Sequence, residues 1–485
     1  MGAHQEGKRE AGDDAHGVDI DSLARQLREE LAAANSSAVQ VQLTGGCPII
    51  IAEVGSLTRN VDAAEYDPHH VAIGPYHRLR NPDLARNDEK IRCLNAVLSA
   101  ASNAAAATTL EVYLDEIANL EIRARSCYAH SFSLESREFV RMLLLDGCYL
   151  LVRFGDVVRR ANGAAAGKGG ATTVLAPAAG GGGGDMLEAV AVVRDVFYLA
   201  ENQIPFFVID KIHQLTRSDT TVSAVDAIAG YVRELLRRQQ YSVATPALSE
   251  PTVPGNLLHL LHMNLVPTVH PPRTSDDNKV SRKRRVGRWK TATEYHLAGV
   301  KFKSRPVGGG AGNGGARSIL DVRLDAGGGT LEIPRLNIDG ETWRLLRNLM
   351  ALEQRNPEIT KSHVTAYCVF VSQLACTASD VEFLARRGVV SHGLGNHGEV
   401  AALFSDLCKG VVFCADDPEQ NYLRGVCQAL ESGVRCHRRR WMVWLRRTYF
   451  SNPWLVLGLA AAVLGLVCTM VQAVYSVLSY RQGGR

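Results

Sequence analysis

A surplus of charge is nearly missing from this sequence. Its 54 lysines and arginines stand against 50 acids, leaving a formal net charge of +4 over 485 residues. So small an excess is too mild to imply nucleic acid, the basic residues gather only locally in two places, and no nucleic-acid partner is expected. An apolar leader is missing too: MGAHQEGKREAGDDAHG is polar and partly acidic, which predicts no secretory signal. Glu6 stands where a myristoylation motif needs Ser or Thr, so Gly2 is not read as a lipid site. The eleven cysteines include no Cys-x-x-Cys pair; Cys368 and Cys376 are eight apart, Cys408 and Cys414 six. That spacing excludes zinc knuckles, and without a leader the thiols are expected to be reduced and buried as small hydrophobes.

Catalytic motifs are equally scarce. Gly167-Lys168 has Asn162 where a P-loop needs its first glycine, and Gly169 where it needs Ser or Thr. Gly310-Ala311-Gly312-Asn313-Gly314-Gly315 satisfies Gly-x-Gly-x-x-Gly, but it precedes an extended piece and no helix that would hold a pyrophosphate. There is no Gly-x-Ser-x-Gly elbow. His69, His70 and His77 gather near Asp67 without the recurring spacing of a zinc site, and His259 and His262 lack the Glu-His pair of a zincin. No catalytic residue, cofactor or metal ligand is assigned.

What is present is helical periodicity. Leucines 23, 27 and 31 mark a short helix in an otherwise disordered segment 1–46. Helical patterns follow at Leu84–Ala100, Leu110–Arg125, Phe139–Phe154, Met186–Leu199, Pro205–Leu215, Ser223–Gln239 and Asn256–Met263. They resume at Thr342–Gln354, His363–Cys376, Ser379–Arg387 and Gly398–Lys409. The Gly/Ala/Thr stretch 161–184 reads as a flexible insertion, and 267–290 as a linker carrying the basic run Arg282-Lys283-Arg284-Arg285. Three strand-like pieces, Gly299–Lys303, Ser318–Leu324 and Thr330–Ile338, predict a small antiparallel meander over 299–338. The fold class is therefore mainly α, a multi-helix globular body spanning 47–440.

One long hydrophobic run stands out, Trp454–Leu478, with no charge from Ser451 to Tyr480. As a helix it would reach roughly 37 Å, enough to cross a hydrocarbon core about 30 Å thick. Arg438, Arg439, Arg440, Trp441, Trp444, Arg446 and Arg447 precede it, and Trp454 and Tyr480 stand at its ends as interfacial residues. The basic-aromatic stretch 441–453 suits an anionic leaflet, and the arginine bias places the body in the cytosol, with 479–485 as a short tail. The chain is expected to be single-pass and tail-anchored, with the bilayer as one partner.

Several short motifs then fall into one pattern. AEYDPHHVAIGPYHRL at 64–79, MLLLDGCYLL at 142–151, DVFYLAENQIPFFVIDKI at 195–212 and LLHLLH at 257–262 come first. ATEYHLAGVKFK at 292–303, SILDVRL at 318–324, LEIPRLNIDGETWRLLRNLMALEQ at 331–354 and VTAYCVFVSQL at 364–374 follow. In this order the chain resembles the plant family catalogued as domain of unknown function 247, from about Cys47 to the end. Ala200 departs from the usual Leu before Glu-Asn-Gln-Ile-Pro. The resemblance implies a mostly helical body ending in one membrane helix, with no assigned activity; some members are linked to pollen–stigma self-recognition in grasses.

The polar knot Asp195, Glu201, Asn202 and Gln203, with Pro205 after it and Asp146-Gly147 inside an apolar helix, is read as structural: caps and ties for orphan backbone groups. The leading functional reading is a non-enzymatic, membrane-tethered recognition or signalling protein with an unknown protein partner. Alternatives are an enzyme using Asp195, Glu201 or a cysteine, and a nuclear regulator using Arg282–Arg285.

Overall fold

From Phe139 to Leu151 only Arg141 escapes burial, and the N-terminal half of the fold packs around that segment. The computed structural model describes residues 49–102, 108–155, 183–217, 223–243, 253–268, 289–308, 315–325, 329–435 and 453–482, with 25, 28 and 29. After a single helical turn at Ser56–Arg59, the helices in chain order begin with α1 (Pro75–Arg80), α2 (Asn87–Ser102), α3 (Leu110–Asn119), α4 (Glu121–Ser126) and α5 (Ser136–Phe154). Next come α6 (Gly183–Phe197), α7 (Phe206–Thr216), α8 (Ala224–Arg238) and α9 (Leu257–Met263). The second half holds α10 (Ala292–Leu297), α11 (Thr342–Arg355), α12 (His363–Leu374), α13 (Ala378–Arg386), α14 (His397–Leu407), α15 (Arg424–Arg435) and α16 (Pro453–Gln482).

Helix α5 is apolar on every side, so it can only be stable with neighbours on every side. Helices α2, α3, α7 and α8 supply them. A Cβ on Gly147 would lie 2.4 Å from Ile212 Cδ1, so the missing side chain is what lets α7 approach α5. Each fully buried Leu or Phe in this contact contributes about 1.5–3 kcal/mol. In the second half α11 is the central element, packed against α9, α12 and α14. Helices α12 and α13 meet at 104°, where Thr377 ends one run and opens the next through a capping box with Asp380.

The β structure differs from the expected antiparallel meander. Strands β1 (Lys301–Arg305) and β3 (Thr330–Pro334) pair in parallel, and β2 (Arg323–Leu324) joins the other edge of β3 antiparallel. The long connection between β1 and β2 permits a crossover that a hairpin does not. Thr330–Ile338 is also two strands. Pro334 has no N–H to continue the ladder, and after it β4 (Leu336–Ile338) leaves for a parallel partner, β5 (Val390–His392).

The expected helix Leu110–Arg125 is divided at Leu120 into α3 and α4. The thiols also depart from expectation. Cys127 is disulfide-bonded, whereas among the described residues Cys93, Cys148, Cys368, Cys376, Cys408, Cys414, Cys427 and Cys468 form no disulfide. Among the described residues, no single helix is long and apolar enough to cross a membrane. Helix α16 has 30 residues of helical backbone, but its described apolar stretch, Ala460–Ser476, stops short of the roughly 20 that a span needs.

Candidate functional site

The segment 66–80 contains two prolines and a glycine and joins no sheet, so its backbone N–H groups need partners from elsewhere. Buried side chains provide them. Asp195 accepts hydrogen bonds from the backbone N–H of His69 at 3.1 Å, His70 at 2.6 Å and Val71 at 3.0 Å. Asn202 continues the ladder, accepting from Ile73 N–H at 2.7 Å and donating to the Val71 carbonyl at 3.0 Å. Asp146 accepts from Gly74 N–H at 2.8 Å and from the fully buried Lys90 ammonium at 2.5 Å, which also donates to the Ala72 carbonyl.

Gly74 has φ +73°, and a Cβ there would fall 2.4 Å from the Gln203 carbonyl oxygen. Gln203 itself donates to the Val196 and Leu199 carbonyls at the end of α6 and accepts from Leu257 and Leu258 N–H at the start of α9. One amide thus closes a helix C-terminus and opens another. After it Pro205 opens α7.

Glu201 faces the rim of this knot. Its carboxylate accepts from Val54 N–H at 2.6 Å, Arg59 at 2.8 Å and Arg80 at 2.6 Å, while Arg59 also pairs with Asp67 and Arg80 with Glu53. His77 lies 3.6 Å from Glu201. Burial, reinforced by the Arg80 and Arg59 charges, pulls its imidazole down to about 3, so it is neutral at physiological pH.

Beside this network lies a cavity of about 240 Å³ between the 50–58 segment, α11 and the turn at Gly410 and Val411. Thr58 Oγ1 donates to the Gly410 carbonyl at 3.2 Å, and Val412 N–H donates to Gln354 Oε1 at 3.0 Å, which holds that turn against the body. Arg347 and Arg355 line the cavity from α11, with Glu53 as its acid.

Two histidine groups remain. His70, Glu89 and Glu188 bring ligand atoms within 4.8 Å of one another, but Arg86 sits 2.8 Å from His70 Nε2 and within 3.6 Å of both carboxylates. The guanidinium occupies the place a cation would take. His259 accepts from Gly255 N–H through Nδ1, whereas His262 Nε2 lies 2.8 Å from Glu353. The two rings serve different partners, and burial with its neighbour His262 brings His259 down to about 3.

A family model described as a plant protein of unknown function, DUF247, matches residues 51–468, which include all of these side chains. The chain belongs to this family. It is 25% identical over 444 residues to the UPF0481 protein At3g47200 of Arabidopsis thaliana, covering 86% of this chain and 83% of that protein. The putative UPF0481 protein At3g02645 of the same plant is 26% identical over 185 residues, or 38% of this chain and 32% of that protein. No solved structure matches.

In this DUF247 chain Asp146, Asp195, Asn202 and Gln203 converge on the 66–80 segment, Glu201 sits at its edge, and Gly147 serves the α5–α7 contact. Arg438, Arg439, Arg440, Trp441, Trp444, Arg446 and Arg447 lie outside the described residues, as do the side chains of Trp454 and Tyr480, most of 1–46, the insertion 161–184 and linker 267–290, and Arg282–Arg285. Sequence reasoning missed Lys90 and Arg347. Lys90 stands on the stripe Lys90, Cys93, Val97, Ala101, and Arg347 on Trp343, Leu346, Arg347, Met350; a cation on an apolar helix face was the available signal.

Proposed function

We propose that this DUF247 protein is a non-enzymatic recognition or signalling protein tethered to a membrane through its C-terminal helix. The observation that carries the tether is α16: its described side chains are exposed around the whole helix, Met470 by 63% and Tyr475 by 70%, with no apolar neighbour among the described residues to cover them. Such a surface calls for lipid or protein as its solvent. Support for a binding role is that the carboxylates of the knot are spent on backbone donors and on Lys90 and the arginines. A carboxylate saturated by fixed donors is a poor general base. Self-recognition between pollen and stigma rests on family resemblance alone.

The arginine bias upstream of the run favours a cytosolic body. One observation favours the opposite orientation: Cys127 is disulfide-bonded, and disulfides persist in oxidising compartments. Expression of the full chain in plant cells, followed by alkaline extraction and protease protection of sealed vesicles, tests both points. Retention in the alkali-washed membrane supports the tether, and release into the supernatant removes it. Digestion of the body from outside supports the cytosolic orientation; protection until detergent is added assigns the body to the lumenal or extracellular side.

A further inference from the structure

Arg347 is 5% exposed on α11, yet its Nε has no hydrogen-bond partner and no acid pairs with it among the described residues. The acid that feels its charge is taken: Glu65 lies 3.1 Å from Arg344. The charge of Arg347 is felt by Glu65, Tyr66 and Cys408. Tyr66 lies within hydrogen-bond reach of Arg347 but does not neutralise it, since burial pushes that hydroxyl up to about 12 and leaves it a neutral phenol. A guanidinium cannot shed its proton to escape burial, as lysine or histidine does. A buried guanidinium without an anion is therefore an unfinished interaction.

The cavity supplies the place where it is finished. Arg355 stands two turns further along α11 and also forms no ion pair among the described residues. Glu53, the acid of the wall, is held by Arg80. The remaining wall is apolar at Ile50, Val54, Met350 and Val411. At about 240 Å³ the space lies below the ~300–1,000 Å³ of drug-sized sites, so its occupant is small.

We infer that this cavity is a binding site for a small organic carboxylate, its anionic end on Arg347 and Arg355 and its short apolar body against Met350 and Val54. The planar guanidinium matches a carboxylate in two parallel hydrogen bonds, which favours that anion over a spherical one. A single acid in the wall, already paired, leaves the pocket net positive. The site does not depend on the membrane tether, and the two are tested separately.

The experiment is calorimetric titration of the full chain, purified in detergent, with hexanoate, and in parallel with hexanamide as its uncharged counterpart and with inorganic phosphate. Hexanoate is expected to bind and to raise the melting temperature, with hexanamide and phosphate at least about tenfold weaker. R347K keeps the charge but loses the fork, and is expected to weaken hexanoate about tenfold. R355E changes an exposed side chain that leaves the core untouched, and should weaken it by a similar factor through charge repulsion. Equal affinity for hexanoate and hexanamide overturns the proposal, as does unchanged hexanoate affinity in folded R355E. Phosphate binding tighter than hexanoate reassigns the pocket to inorganic anions and overturns the carboxylate. Absence of binding by all three probes at millimolar concentration also overturns it.

Discussion

Asp195 and Arg347 are both buried charges in the same fold, and the protein surrounds them in opposite ways. Asp195 receives three consecutive backbone N–H groups and the Arg194 side chain, so its charge is balanced by groups the fold must satisfy anyway. Arg347 keeps an unbonded Nε at the wall of a cavity. The difference separates two uses of polarity. Around Asp195 the polar groups close a loop against the helices; around Arg347 something is left open for a partner. Burial of a charge alone does not distinguish the two, but the satisfaction of its hydrogen bonds does.

The comparison breaks most visibly at Asp195. Asp195→Ala leaves the N–H groups of His69, His70 and Val71 without an acceptor, that of Val71 buried and the other two partly so. A loss of about 4–5 kcal/mol is expected from unsatisfied donors of this kind, read as the shift in urea midpoint. A loss under about 1 kcal/mol would mean that the 66–80 segment finds other acceptors and that the knot is not structural.

Lys90 and Asp146 form the fully buried pair of the same network. Lys90→Met alone strands the carboxylate and should cost about 3–5 kcal/mol, whereas Lys90→Met with Asp146→Leu should recover a large part of it. A double-mutant cycle in urea measures the coupling. Additive losses would show that each group acts through its own backbone contacts, Ala72 for one and Gly74 for the other.

These networks also show where the sequence was legible. The helices α7, α8 and α11 follow the periodicity of their apolar residues, because burial of one face dictates that spacing, while α5 shows as a nearly unbroken apolar run. The knot could be located from Asp195, Glu201, Asn202 and Gln203, because polar residues crowded between apolar helices have few other uses. Their partners could not be, since the 66–80 backbone lies more than a hundred residues away in the chain and no local rule names it. The parallel β1–β3 pairing failed for the same reason. Strand pieces are visible in alternation, but their order and direction depend on a connection whose path the alternation does not contain. The cavity was invisible because it is formed by three distant segments, 50–58, α11 and 410–411.

His77 gives a smaller and pH-dependent effect. In the unfolded chain it takes up a proton near pH 6.5, but buried between Arg59 and Arg80 it resists protonation down to about 3. Its folded value is depressed, so its stability contribution is complete above pH 6.5 and is lost as the pH falls through that window. His77→Gln, which leaves the facing Asp67 and Glu201 side chains in place, should flatten the stability profile below pH 6.5 by up to about 1.4 kcal/mol per pH unit. Urea titrations at pH 7, 6 and 5 check it; parallel slopes in both proteins would show that His77 is charged in the folded state.

The smallest effect is expected at Arg347, and its smallness is the point. Arg347→Met removes a buried charge with no acid to leave behind, and methionine fills much of the same volume beside Met350. Stability should therefore change by less than about 1 kcal/mol, and in the direction of gain if desolvation of the guanidinium dominates. Asp195→Ala and Arg347→Met are both losses of a buried charge, so one urea series separates a charge the fold uses from one it carries for a ligand. A large destabilisation at Arg347 would place it with Asp195, as part of the structure, and would make the cavity a by-product of packing.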